Sequence, residues 1–187
     1  MAYTSFAVVF GEQPSAAKWN ILGTNDASFN DGTGLPNGIA IQVVSTSFTA
    51  VSTGTTTIPL DDTIPQITEG TEFMTQAITP KSTSNVLVIE ALSYVATGTS
   101  AKNITSALFQ DATSNALAVS AVNQQTANNP FMIPLRHTMS AGTTSSTTFR
   151  IRIGADAAAT VTFNGASATR QFGAITKSSM KITEYKA

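Results

Sequence analysis

The sequence predicts an all-β fold, a jelly roll or β-sandwich of about ten strands, preceded by an N-terminal arm that carries one short helix. Three observations carry this. After Gly38 the chain becomes a succession of short β-type runs separated by clusters of Gly, Pro, Asn, Asp and Ser. Within it, Thr147-Thr148-Phe149-Arg150-Ile151-Arg152-Ile153 alternates strictly, Phe149, Ile151 and Ile153 on one side and the arginines on the other. Charged residues form only 11% of the chain, so its surface is built largely of threonine and serine, and threonine fits a pleated, half-buried surface.

Residues 1–40 read as the arm and 41–187 as the β-domain. YTSFAVVF, residues 3–10, suits a short strand or an extended arm. Residues 15–22 read as a helix of about two turns, with Ser15 as N-cap and Gly23 as the stop. Trp19 and Leu22 share a face, and a helix this short persists in water only if that face docks. It packs either on the chain's own domain or on a partner or sister subunit; Trp19, Ile21, Leu22 and Phe29 are the candidate attachment residues. Residues 23–38 are dense in Gly, Asn and Asp and read as a loop anchored by Phe29 and Leu35. Asp26 and Asp31 lack the spaced acids and closing Glu of a calcium loop.

Strands are expected near 40–51, 55–59, 71–79, 86–95, 103–110, 116–122, 131–138, 147–154, 159–164 and 178–185. The most apolar is Val86-Leu87-Val88-Ile89-Glu90-Ala91-Leu92, both faces of which are hydrophobic until Glu90 interrupts. Such a strand belongs at the centre of a sheet, with cover on each side from a second sheet or another subunit. The turn chemistry of Thr79–Asn85 predicts a hairpin between residues 72–79 and 86–94.

Composition excludes several functions. Ten basic and 11 acidic residues leave a net charge of -1 with no basic patch, so a nucleic-acid partner is not expected. There is no cysteine, hence no disulfide scaffold or thiolate metal site. The start has no basic region before its apolar residues, so it reads as neither secretory signal nor anchor. No apolar run approaches the roughly 18 residues of a membrane span.

Catalytic and metal chemistry find no constellation, and no catalytic, cofactor or metal residue is assigned. Asp61-Asp62, with Glu69 and Glu72 nearby, is the one local acidic cluster, but Asp is a good turn residue where the pair falls. His137 is the sole histidine, and no serine sits in a nucleophile motif. No phosphate-binding glycine loop occurs. Glu90, Arg150, Arg152 and Arg170 are the scarce charges in or beside strands. They read as a solvated face, or as Glu90 pairing with Arg150 or Arg152 across a subunit contact that also takes in Val86 and Val88. In the loop NQQTANNP, residues 123–130, the amides of Gln124, Gln125, Asn128 and Asn129 suit a glycan or simply solvent.

Three strings, GEQPSAAKWNILGTNDASFNDGTGL, IPLDDTIPQITEGTEFMTQAITPKS and RQFGAITKSSMKITEYKA, resemble small structural proteins of tailed bacteriophages. In those proteins a short attachment segment precedes a trimeric fibre-head β-domain similar in shape to the TNF and C1q jelly rolls. The resemblance implies a homotrimeric, non-enzymatic virion component, a fibre or spike that binds other virion proteins and in some cases a host-surface glycan. Its alternatives are a capsid-decoration or head-fibre protein, a stand-alone carbohydrate-binding module and a polysaccharide-depolymerising enzyme, the last disfavoured by the missing catalytic constellation.

Overall fold

The most apolar strand lies in the middle of a sheet, where its two hydrophobic faces require it to be. The computed structural model describes residues 4, 7, 10, 11, 13, 15–30 and 34–187. In chain order the elements are α1 (Ala16–Asn30), β1 (Ala40–Phe48), β2 (Ser52–Gly54), β3 (Thr71–Ile78), β4 (Val86–Thr97), β5 (Lys102–Gln110) and β6 (Ala118–Gln124). They continue with β7 (Phe131–Ser140), β8 (Thr147–Ala155), β9 (Val161–Phe163), β10 (Gly165–Ala166), β11 (Thr169–Arg170), a 3-10 turn (Phe172–Ala174) and β12 (Ser178–Tyr185).

The long strands form two antiparallel sheets. The first runs β1-β12-β4, with β7 paired along residues 86–95 of β4 and the short β9 and β2 extending from its end. The second runs β3-β8-β5-β6. The chain crosses between layers at β2 to β3, β3 to β4, β4 to β5, β6 to β7, β7 to β8 and β8 to β9. This order of four strands facing four is the topology of a jelly roll. The hydrophobic core fills the space between the layers, with Leu87, Ile89, Ala91, Val95, Met180 and Ile182 from the first sheet. Met74, Ile78, Ile104, Leu108, Phe149, Ile151 and Ile153 come from the second.

A smaller core lies outside the second sheet. Ala107 and Phe109 point outward from β5 yet are fully buried, because Ile58 and Ile67 of the 55–70 segment cover them. That segment is tied down by Ile58 N–H donating to Ala155 O at 3.0 Å and Ala116 N–H to Pro65 O at 2.9 Å. It passes so close to Gly154 that a Cβ there would sit 2.7 Å from both Ile58 N and Thr56 O. A glycine in this strand marks close backbone approach.

Three expectations are corrected. Residues 71–78 and 86–97 do not form a hairpin: β3 pairs with β8 and β4 with β12 and β7, in opposite layers. Each strand has an apolar face to bury, and the turn at 79–85 serves equally to carry the chain across the core. The strand expected at 55–59 is found at 52–54, since residues 56–58 are drawn onto the outside of the second sheet instead.

The helix does not stop at Gly23 but runs to Asn30. Ser15 caps it as expected, Lys18 N–H donating to Ser15 Oγ at 3.3 Å. Beyond Gly23, tertiary contact overrides weak propensity: Asn25 and Ser28 are buried. The Asn25 amide accepts from Thr4 N–H at 3.0 Å and donates to Thr4 O at 2.8 Å. The strand or arm expected over residues 3–10 lies mostly outside the described residues, as does Asp31.

Candidate association face

The outer face of the first sheet is four strands wide, and pairing register fixes what it presents. Residues opposite one another on neighbouring strands share a face, which gives three parallel rows. One is Ser47, Ser179, Leu92 and Pro134; the next Ser45, Lys181, Glu90 and Arg136; the third Val43, Thr183, Val88 and Thr138. Val88 is only 8% exposed, but Val43, Leu92 and Met132 expose 57%, 44% and 44% of their surface. A concavity of about 560 Å³ opens at the centre, lined by Glu90, Leu92, Pro134, Arg136, Ser179 and Lys181 among others.

Beside it, Tyr94 is covered by the chain between β9 and β12, its hydroxyl donating to Gln171 Oε1 at 2.7 Å. Burial pushes the Tyr94 pKa up. This segment holds Ser167, Ala168, Phe172 and Ala174 at positive φ, a costly conformation for residues with a side chain. It leaves Phe172 and Ile175 largely exposed, extending the apolar surface of the face. One ion pair lies in the middle row: Lys181 Nζ is 2.6 Å from Glu90 Oε2. The hydrogen bond and charge of Glu90 raise the Lys181 pKa.

The residues singled out from sequence fall in four places. Val86, Val88 and Glu90 lie on this face. Arg150 and Arg152 lie on the outer face of the opposite sheet, where Arg150 Nε is 3.2 Å and Arg152 Nη1 3.6 Å from Glu72 Oε2. Arg152 also donates to Glu69 O and Gly70 O, both at 2.8 Å, fastening the 55–70 segment. Within the chain the partner of Glu90 is Lys181; the pairing with Arg150 or Arg152 was expected across a subunit contact, between copies of the chain.

Gln124 is also corrected. It is fully buried, accepting from Thr97 N–H at 2.8 Å and donating to Thr97 O at 2.8 Å. It locks the end of β6 to the end of β4 and has no amide to offer a ligand. Gln125, Asn128 and Asn129 are exposed, with Asn128 N–H tied to Thr97 O at 2.8 Å. On the helix, Trp19 is 60% and Phe29 49% exposed, Leu22 less so, and Ile21 is half-buried.

The acidic cluster does not converge. Asp61 accepts from the Thr63 hydroxyl at 2.6 Å and its N–H at 2.9 Å, bonds that lower its pKa and close a turn. Glu69 accepts from Gln66 N–H at 2.8 Å. Among the described residues no group of three or more His, Asp or Glu is placed to hold a metal ion. No described helix is long and apolar enough to cross a membrane.

His137 lies opposite Ile89 on β7, half-buried, and desolvation lowers its pKa. The fold therefore favours neutral imidazole, and the unfolded chain binds more protons between the folded value and the ordinary value of about 6.5. Stability is expected to be fully present above that range and to fall as pH drops through it. Urea midpoints measured from pH 7.5 to 5 at fixed protein concentration check this. The decline should flatten in His137→Gln.

Arg136, Lys181, Leu92 and Met132 were missed from sequence. Alternation places Lys181 outward between the inward Met180 and Ile182, but the convergence of three strands on one concavity requires the register.

None of the curated proteins matches the chain. Among solved structures, Eiger TNF from S. frugiperda is similar at 9% identity, covering 76% of this chain and 92% of that one with a TM-score of 0.42. The infectious bursal disease virus VP2 subviral particle aligns at 11% identity over 78% of this chain and 37% of that one, TM-score 0.38. The enzymatically active domain of bacteriophage CBA120 tailspike protein 4 aligns at 16% identity over 65% and 18%, TM-score 0.28. Residues 52–187, from β2 to the C-terminus, match the family described as Pgp3 C-terminal domain, so the chain belongs to the Pgp3 C-terminal domain family.

Proposed function

We propose that this protein is a non-enzymatic structural component of a bacteriophage particle, a homotrimeric fibre or spike. In this reading the jelly roll is its displayed head, and residues 1–40 attach it to other virion proteins. The observation that carries self-association is the outer face of β1-β12-β4-β7, which exposes Val43, Leu92 and Met132 and holds a concavity lined by Leu92 and Pro134 together with Glu90, Arg136 and Lys181. Exposed apolar residues gathered on one face mark association sites.

The edge beside it supports association as well. β6, Ala118–Gln124, is the terminal strand of its sheet and carries no charged residue and no proline. Open edges of that kind need cover. Seating the β6–β7 edge of one copy on the face of the next makes a heterologous contact, which closes into a ring of three when the rotation between copies is about 120°.

Trp19, Leu22 and Phe29 on α1 supply apolar contacts for attachment. The exposed amides of Gln125, Asn128 and Asn129 offer hydrogen bonds suited to a host-surface glycan. Electron cryo-microscopy of the particle tests placement: density for α1 against tail or capsid protein supports the reading, and absence of the protein from purified particles overturns it. A glycan array with the assembled head tests the receptor role separately.

A further inference from the structure

The second sheet carries a projection whose chemistry complements the concavity on the first. Between Ile58 and Ile67, which pack on the outside of that sheet, the chain turns through Leu60-Asp61-Asp62-Thr63-Ile64. Leu60 and Ile64 are both more than half exposed and flank the two carboxylates, and residues 55–65 include no basic side chain. The turn is shaped before any contact is made. Asp61 accepts from both the hydroxyl and the N–H of Thr63, and Gln66 Nε2 donates to Ile64 O at 2.6 Å and to Asn115 Oδ1 at 3.0 Å. Ala116, whose N–H bonds to Pro65 O, leads directly into β6, so the projection is fastened beside the open edge of its sheet.

The concavity offers the matching surface. Its apolar lining is Leu92 and Pro134, and among its charges Arg136 and Lys181 outnumber Glu90. Projection and concavity lie on the outer sides of opposite sheets, so no chain can fill its own hollow with its own turn.

We infer that the Leu60–Ile64 turn of each copy seats in the concavity of the next, Leu60 and Ile64 against Leu92 and Pro134 and Asp62 against Arg136. The inference rests on the association proposed above and names the pieces of edge and face that meet. A turn held by its own hydrogen bonds loses little freedom on docking. Negative charge on the turn and an excess of positive charge in the hollow select this pairing of surfaces over face against face. Every copy carries one turn and one hollow, which makes the contact heterologous.

A charge-swap cycle on association tests this. The mass distributions of wild type, Asp62→Lys, Arg136→Glu and the double variant are read by sedimentation across a dilution series. Each single reversal is expected to weaken association about tenfold or more, and the double variant to recover most of the loss. Trapping reads the same contact independently, since the chain has no cysteine of its own. With a short bis-maleimide, Ile64→Cys/Leu92→Cys is expected to give a ladder of covalent multimers, and either single variant none. Losses that add in the double variant, an Asp62→Lys chain that assembles like wild type, or self-linking of Leu92→Cys alone overturn the inference while leaving self-association standing. A wild-type chain that is monomeric throughout overturns both.

Discussion

Replacing Glu184 with alanine is expected to destabilise the folded chain by about 2–4 kcal/mol. Glu184 is fully buried on β12. It accepts from Lys81 N–H at 2.7 Å and from the Asn85 amide at 2.6 Å. The Gln42 amide, turned with its nitrogen toward Glu184, donates to the second carboxylate oxygen at 3.0 Å and to Thr79 O at 3.1 Å. Three neutral donors thus surround one carboxylate at the end of the sandwich, where the 79–85 crossing meets β1 and β12. Alanine leaves the buried Asn85 amide without its acceptor and removes the carboxylate shared by Lys81 N–H and Gln42, and the penalty for an unsatisfied buried donor exceeds the modest net worth of a made bond. Glu184→Gln keeps one acceptor and should lose less. Urea unfolding of both variants, at one protein concentration, checks the order; an unchanged midpoint for Glu184→Ala would show that the cluster contributes nothing.

Leu92→Arg is expected to dissociate the assembly while leaving the protomer folded. Leu92 is 44% exposed in the single chain, so arginine there disturbs no core packing. At the proposed contact it would bury a third cation beside Lys181 and Arg136. Association should weaken by about a hundredfold or more, the scale of losing a central interface residue. Light scattering reads the mass, and far-ultraviolet circular dichroism confirms the retained β-fold. A variant that associates like wild type would place the contact elsewhere.

The layers of this fold were legible where a residue's face depends only on its own strand. Alternation in β8 turned Phe149, Ile151 and Ile153 inward and both arginines outward, and the doubly apolar run of β4 demanded a central position. What alternation leaves open is which of two outer faces an outward residue occupies. Glu90 and the two arginines thus read alike as outward charges, while the fold puts them on the outer faces of opposite sheets. The crossing at 79–85 illustrates the same gap, because proline, serine and asparagine favour a turn without saying whether it returns to the same sheet.

Gln124 failed for a different reason. In the run NQQTANN one amide looks like the next, and only the approach of Thr97 from β4 selects Gln124 for burial. Similarly, Gly23 is a helix stop in isolation, and the grip of Asn25 on Thr4 is a contact between residues 21 apart. The candidate face drew least on the sequence: Val86, Val88 and Glu90 were visible in the apolar run. Lys181 and Arg136 join them through pairings that span 91 and 46 positions of the chain.

Copies of this chain holding one another through the sheet centred on β4 is the claim on which the rest stands. The mass of the unmodified protein in solution at micromolar concentration, by light scattering with sedimentation, tests it most directly. Three times the protomer mass is the predicted result; a single protomer mass that persists at the highest concentration reached would contradict it.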